Sequence, residues 1–309
     1  MIEAFHLSKS FGDFTAVSDV SFRCGRGEVV GFLGPNGAGK TTTIRMLAGY
    51  LVPSSGKAEI AGVDVGTHSL EARRLIGYLP ETVPLYKEMT VFSYLKFMAQ
   101  IRGVRKQSAE ERVEAIADVC GLSNHLHLHI GKLSKGFRQR VGLAQAIVHD
   151  PPVLILDEPT SGIDPIQIVQ TKQLIRELGR NRTVLVSSHV LPVVRELCDR
   201  AIILKEGSVV VEDSIEGLLA SASNAHRFEL EIMGPTESIR RVLQEIIGVE
   251  KILENSPYWT IECLGDEDFQ AEIYSALAGN ELELVSSRAL PVDLEDIFLD
   301  LTTAHRSDD

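Results

Sequence analysis

Val29-Val30-Gly31-Phe32-Leu33, followed by Gly34-Pro35-Asn36-Gly37-Ala38-Gly39-Lys40-Thr41-Thr42, is the stretch on which the fold turns. The first half is a short apolar run between Gly27 and Gly34, the pattern of a buried strand. The second half fits G-x-x-x-x-G-K-[ST], and Thr43-Ile44-Arg45-Met46-Leu47 can continue from it as a helix. Strand, glycine loop and helix in that order make a cradle for phosphate. The glycines let several backbone N–H groups turn toward one anion, and the helix adds the positive end of its dipole. Lys40 is suited to the β- and γ-phosphates, and the Thr41 hydroxyl to a magnesium ion.

Two further strands extend the pattern. Val153-Leu154-Ile155-Leu156 ends in Asp157-Glu158-Pro159, and Thr183-Val184-Leu185-Val186 ends in Ser187-Ser188-His189. Runs this apolar belong inside a parallel sheet. Ligands of such sheets bind at the C-terminal ends of the strands. Two adjacent carboxylates there are costly unless a cation or a reacting water uses them. Leu75–Glu81 reads as another buried strand, closed by Pro80. Helices are expected over residues 90–103 and 108–120, the second opened by Ser108 and Glu111 at capping-box spacing. A further helix starts at the N-cap Ser134 and runs past Ile147. His125, His127 and His129 alternate without an acidic or cysteine partner nearby, which is weak ground for a metal site.

The chain has 309 residues, enough for more than one domain, with 44% hydrophobic and 24% charged residues. No apolar run approaches the ~18 residues of a membrane span. The N-terminus has no basic-then-apolar leader pattern, so a cytoplasmic protein is expected. The four cysteines are scattered without C-x-x-C spacing and read as reduced, buried thiols. The net charge of −12 is unevenly spread: from His226 onward 6 Lys+Arg stand against 19 Asp+Glu, whereas the preceding residues are almost balanced. That asymmetry and the small polar stretch Ser221–Asn224 place a domain boundary there. An acidic tail also speaks against nucleic acid as a partner. Residues 226–303 read as strand, helix, strand, strand, helix, strand and a terminal helix at Val292–Leu301. This is a small α+β (βαββαβ-like) domain without a catalytic constellation.

Taken together, residues 1 to about 220 resemble the ATP-binding subunit of ABC transporters. The resemblance rests on the phosphate loop, on Leu133-Ser134-Lys135-Gly136-Phe137-Arg138-Gln139, on Leu154–Pro159, on Ser161-Gly162-Ile163-Asp164 and on Ser187-Ser188-His189, all in the family's order. Two positions depart from the common pattern. Lys135 and Phe137 stand at the third and fifth positions of L-S-G-G-Q, and Glu81 stands where a glutamine is usual. Both variants, and the terminal segment, look like the exporter-type subfamily, which includes gliding-motility-associated and multidrug exporters.

The resemblance implies an α/β fold: a P-loop NTPase (RecA-like) core over residues 1–222, with N-terminal antiparallel strands and a helical subdomain at about 82–150. It also implies a site. Phe11 would face the adenine, and Gly34, Pro35, Asn36, Gly37, Ala38, Gly39, Lys40, Thr41 and Thr42 the phosphates of ATP. Thr41, Glu81 and Asp157 would surround Mg2+, Glu158 would activate water, and His189 would contact the γ-phosphate. Ser134, Lys135 and Gly136 would close over ATP held by a second copy of the chain, giving a homodimer. The expected function is ATP hydrolysis driving export through an integral membrane permease, on the cytoplasmic face of the membrane. The rival class is a soluble ABC ATPase acting on nucleic acid or the ribosome. The single ATPase unit, the acidic tail and the absence of basic insertions weigh against it.

Overall fold

The computed structural model describes residues 1–221, 225–264, 269–280, 282–290 and 298. The chain divides into two compact units, Met1–Ile215 and Glu216–Asp309. The linker stretch 222–224 and most of the expected terminal helix lie outside the described residues.

The first unit begins with the antiparallel strands β1 (Ile2–Phe11) and β2 (Phe14–Cys24), then β3 (Val29–Leu33) and helix α1 (Lys40–Leu47). Next come β4 (Ser55–Ile60), β5 (Val63–Asp64), α2 (Ser69–Arg74) and β6 (Ile76–Leu79). The helical segment follows: α3 (Val91–Ile101), α4 (Ala109–Val119) and α5 (Lys135–Ile147). The chain returns through β7 (Val153–Asp157), α6 (Pro165–Gly179), β8 (Thr183–Ser188), α7 (Leu191–Leu197), β9 (Arg200–Lys205) and β10 (Ser208–Ser214), after which α8 (Ile215–Ser221) runs across the boundary into the second unit.

Two sheets result. One runs β2-β1-β4-β5 and is antiparallel. The other runs β10-β9-β3-β8-β7-β6, with β9 to β6 parallel and β10 antiparallel on the edge. Every residue of β3, β7 and β8 is buried, because each strand has neighbours on both sides and covered faces above and below. Ile2, Leu7, Phe22, Phe32, Ile44, Leu47, Ile60, Ile155 and Leu185 form one cluster, so α1 packs in the core shared by the two sheets. Fully burying a side chain such as Phe32 stabilises by about 1.5–3 kcal/mol. This core holds the phosphate loop between a rigid strand and a rigid helix.

The helical segment differs from its sequence reading at one cap. Thr90 caps α3 by accepting from Ser93 N–H at 3.2 Å. Ser108 makes no such bond: it ends a 3-10 turn, and its helical backbone (φ −99°, ψ −1°) keeps the hydroxyl away from the amides a β-region cap reaches. Ser134 does cap α5, accepting from Phe137 N–H at 3.3 Å.

The second unit reads β11 (Ala225–Met233), α9 (Thr236–Glu245), β12 (Val249–Asn255), β13 (Tyr258–Leu264), α10 (Phe269–Gly279) and β14 (Glu283–Leu290). Its antiparallel sheet is ordered β12-β13-β11-β14, the arrangement of a ferredoxin-like βαββαβ unit. Phe228, Leu230, Ile232, Trp259, Ile261, Ile239, Leu243 and Phe269 make its own core.

Candidate functional site

A cavity of about 360 Å3 opens where the strands β3, β7 and β8 end. The loop residues Asn36–Thr42 line it, together with Phe14, Ala16, Glu81, Glu158 and His189. The loop's shape depends on glycine. Gly39 sits at φ 95°, and a Cβ there would lie 2.6 Å from the Ala16 carbonyl oxygen, so no side chain fits. The amides of α1 begin immediately after it.

Lys40 is buried and donates from Nζ to the carbonyl oxygens of Gly34 at 2.6 Å and Pro35 at 3.1 Å. Burial pushes its ammonium below the usual lysine range, against the pull of Glu158, Asp157 and Glu81. An anion in the cradle offers this cation a better partner than two neutral carbonyls.

Asp157 is almost fully buried at the end of β7. Burial raises its carboxyl, opposed by hydrogen bonds from Ser187 and Thr41. Ser187 Oγ donates to Asp157 Oδ1 at 2.6 Å and accepts from Glu158 N–H at 2.9 Å. Glu158 leaves the strand with φ 48°, in the left-handed region that costs a non-glycine residue about 1–3 kcal/mol. His189 Nδ1 lies 2.8 Å from Glu158 Oε1, and donation across that contact needs the Nδ1–H tautomer. Glu158 Oε2 is buried and has no hydrogen-bond partner among the described residues. A carboxylate oxygen left so at a cavity wall is set to accept a proton from something that enters the cavity.

The geometry gathers Lys40, Thr41, Glu158 and His189 around one space, with Asp157 behind the wall. Glu81 is exposed and lines this cavity and a second one of about 290 Å3, shared with Lys87, Lys135, Arg138 and Gln139. Ser134, Lys135 and Gly136 are not in the wall of the chain's own phosphate cavity. They lie against the loop and helix after β7. A Cβ on Gly162 would meet Lys135 Nζ at 2.0 Å, and one on Gly136 would meet Gln167 Oε1 at 1.5 Å.

Phe11 is also outside that wall: its ring is half exposed, with Lys9 Nζ 5.3 Å from the centroid. Phe14, its cross-strand partner, is the aromatic residue that lines the cavity. Sequence reasoning missed Phe14 and Ser187. The signal for Ser187 was present, since a serine inside a run of buried apolar residues needs a hydrogen-bond partner in the interior. Among the described residues no group of three or more His, Cys, Asp or Glu is placed to hold a metal ion. The His125 ring packs against Phe137, with ring centroids 4.1 Å apart and the planes tilted by 31°. No helix among the described residues is long and apolar enough to cross a membrane.

The family described as ABC transporter matches residues 17–161. The ABC transporter ATP-binding protein YxlF of Bacillus subtilis is 34% identical over 304 residues, covering 98% of this chain and all of the relative. The Nod factor export ATP-binding protein I of Burkholderia lata is 33% identical over 313 residues, covering 99% of this chain and 98% of the relative. Among solved structures, the dimeric structure of MJ0796, a bacterial ABC transporter cassette, superposes with a TM-score of 0.65 at 25% identity. It covers 70% of this chain and 99% of that one.

Proposed function

The chain belongs to the ABC transporter ATP-binding proteins, and from that premise we propose that it hydrolyses magnesium-bound ATP to drive an exporter, as a pair of copies docked on a separate membrane permease. The observation that carries the reading is the Glu158 carboxylate, with one oxygen on His189 and the other unpartnered beside the phosphate loop. The export assignment draws on the Nod factor export relative, which aligns over nearly its whole length.

In this reading the loop amides and Lys40 bind the phosphates, Lys40 leaving the Gly34 and Pro35 carbonyls to do so. Glu158 Oε2 takes the proton of the attacking water while His189 fixes the other oxygen. Thr41 and Asp157 would hold magnesium, with Glu81 as a further oxygen ligand at the cavity mouth. Few protein ligands suit this ion, which keeps waters and phosphate oxygens in its shell. When bound it supplies neutralisation of phosphate charge and alignment of the phosphoryl group.

Pairing of copies accounts for the exposed start of α5. Its first turn, capped by Ser134, presents a helix N-terminus that the chain's own phosphate cavity does not use. A head-to-tail partner would bring Ser134, Lys135 and Gly136 over the other copy's nucleotide. MJ0796, a cassette of this kind, is dimeric in its solved structure.

The test is Glu158→Gln. Nucleotide binding should remain, turnover should fall by at least ~10²-fold, and an ATP-bound dimer should accumulate in size-exclusion chromatography. Turnover near the parent value would remove Glu158 from the chemistry.

A further inference from the structure

We infer that Ser187 is a positioning residue of the hydrolysis reaction: its single hydroxyl ties the Asp157 carboxylate to the Glu158 backbone and so aims Glu158 at the cavity. The inference rests on the assignment of Glu158 to water activation given above.

Ser187 and Asp157 are direct cross-strand neighbours in the β7–β8 register, which puts the hydroxyl within reach of the carboxylate. Ser187 is fully buried and lies behind the cavity wall. Its proton goes to Asp157 Oδ1 at 2.6 Å, which leaves its lone pairs to accept from Glu158 N–H at 2.9 Å. A serine hydroxyl has one proton and two lone pairs, so this pair of bonds fixes the direction of both. Glu158 needs such a tether. Its φ of 48° is an unfavoured conformation for a residue with a side chain, held only if its surroundings determine it. The peptide is gripped on both sides: Ser187 takes the N–H, and Ser161 N–H donates to the Glu158 carbonyl at 3.1 Å. The carboxylate is then gripped by His189. Of these three contacts, only that of Ser187 also reaches the Asp157 carboxylate, so one hydroxyl orients that carboxylate and the peptide from which the Glu158 side chain departs.

Removing the hydroxyl leaves the fold nearly unchanged in volume but frees the Glu158 peptide to relax toward ordinary strand angles. A small displacement of a reacting group costs turnover, on the order of 10–10²-fold, while Lys40 and the loop amides keep their geometry for the phosphates. The phosphate contacts come from the loop and α1, and the two side-chain hydrogen bonds of Ser187 described above go to neither.

The experiment compares the full-length parent with Ser187→Ala, Ser187→Thr and Glu158→Gln, measuring kcat, KM for ATP, nucleotide affinity by calorimetry and thermal midpoint. The expected pattern is a fall in kcat of roughly 10–10²-fold in Ser187→Ala, with ATP affinity and midpoint close to the parent, and recovery to within a few-fold in Ser187→Thr, which restores the hydroxyl. Ser187→Ala turning over within twofold of the parent overturns the inference. So does a parallel loss of binding, midpoint and turnover, which is the signature of a structural residue. If Ser187→Thr does not fold, the Ser187→Ala split between kcat and affinity decides alone. Glu158→Gln separates the two layers: its retaining activity overturns the assignment of Glu158, whereas its inactivity beside an active Ser187→Ala overturns only the role of Ser187.

Discussion

Lys40 shows how much one residue can be asked to carry. In the folded chain its ammonium is buried and spends its hydrogen bonds on two loop carbonyls. In the proposed function, nucleotide exchanges them for charged phosphate oxygens, and hydrogen bonds to charged groups contribute about 1.5–3 kcal/mol. Lys40→Ala should therefore weaken ATP binding roughly 10–10²-fold, read by calorimetry with Mg-ATP; unchanged affinity would move the site elsewhere. A second titrating residue bears on stability alone. His149 Nε2 lies 3.1 Å from the Ile76 carbonyl, and burial, then the charge of Arg102, pushes its pKa down from 6.5 to about 4. Between those values the unfolded chain binds a proton that the fold refuses. Stability is thus lost as pH falls from 6.5 toward 4, by roughly 2 kcal/mol at most given the residue's partial exposure, and is untouched above that window. Thermal midpoints of parent and His149→Gln should converge as the pH falls through it. At this scale the sequence was readable in placing Lys40, Glu158 and His189 together, since all three border one cavity. It was not readable for the aromatic position: Phe11 and Phe14 face each other across one hairpin, and spacing does not tell which ring borders the cavity.

Among elements, α5 and β6 meet in a close backbone approach. A Cβ at Gly77 would lie 2.3 Å from the Ala146 carbonyl oxygen and 2.6 Å from Leu154 Cδ2, so helix and strand touch through backbone. Gly77→Ala forces them apart, and overpacking of this kind costs about 1–3 kcal/mol. The thermal midpoint should drop by several degrees, and a variant melting with the parent would mean that the contact yields freely. The strands β3, β7 and β8 were legible because a strand buried on both faces has to be apolar throughout. The β9–β10 hairpin was not. Its turn is Glu206-Gly207, both at positive φ, and the first position of such turns is more often asparagine or aspartate. Ser108 failed as a cap for a different reason: a serine–glutamate spacing is satisfied by sequence, but the cap bond needs a β-region backbone, and a preceding 3-10 turn denies it.

For the whole molecule, the uneven charge and the two cores point the same way. Each unit has its own buried cluster, the first built on Phe32, Ile44 and Leu185, the second on Leu230, Ile261 and Phe269. The phosphate loop, Asp157, Glu158, Ser187 and His189 all belong to the first. The second carries the acidic excess, with 19 Asp+Glu against 6 Lys+Arg from His226 onward. A domain with its own core can fold alone. A chain ending at residue 221 should therefore melt cooperatively and bind ATP with the affinity of the full chain, because nothing that touches the phosphate cavity is removed. Its isoelectric point should rise, since the deleted part holds more negative charge than the net −12 of the whole chain. Calorimetry with Mg-ATP and a thermal melt on the truncated chain decide the matter. An insoluble product, or one that binds ATP more than about tenfold more weakly, a difference of 1.4 kcal/mol, would show that the first unit does not fold or bind nucleotide without the acidic one.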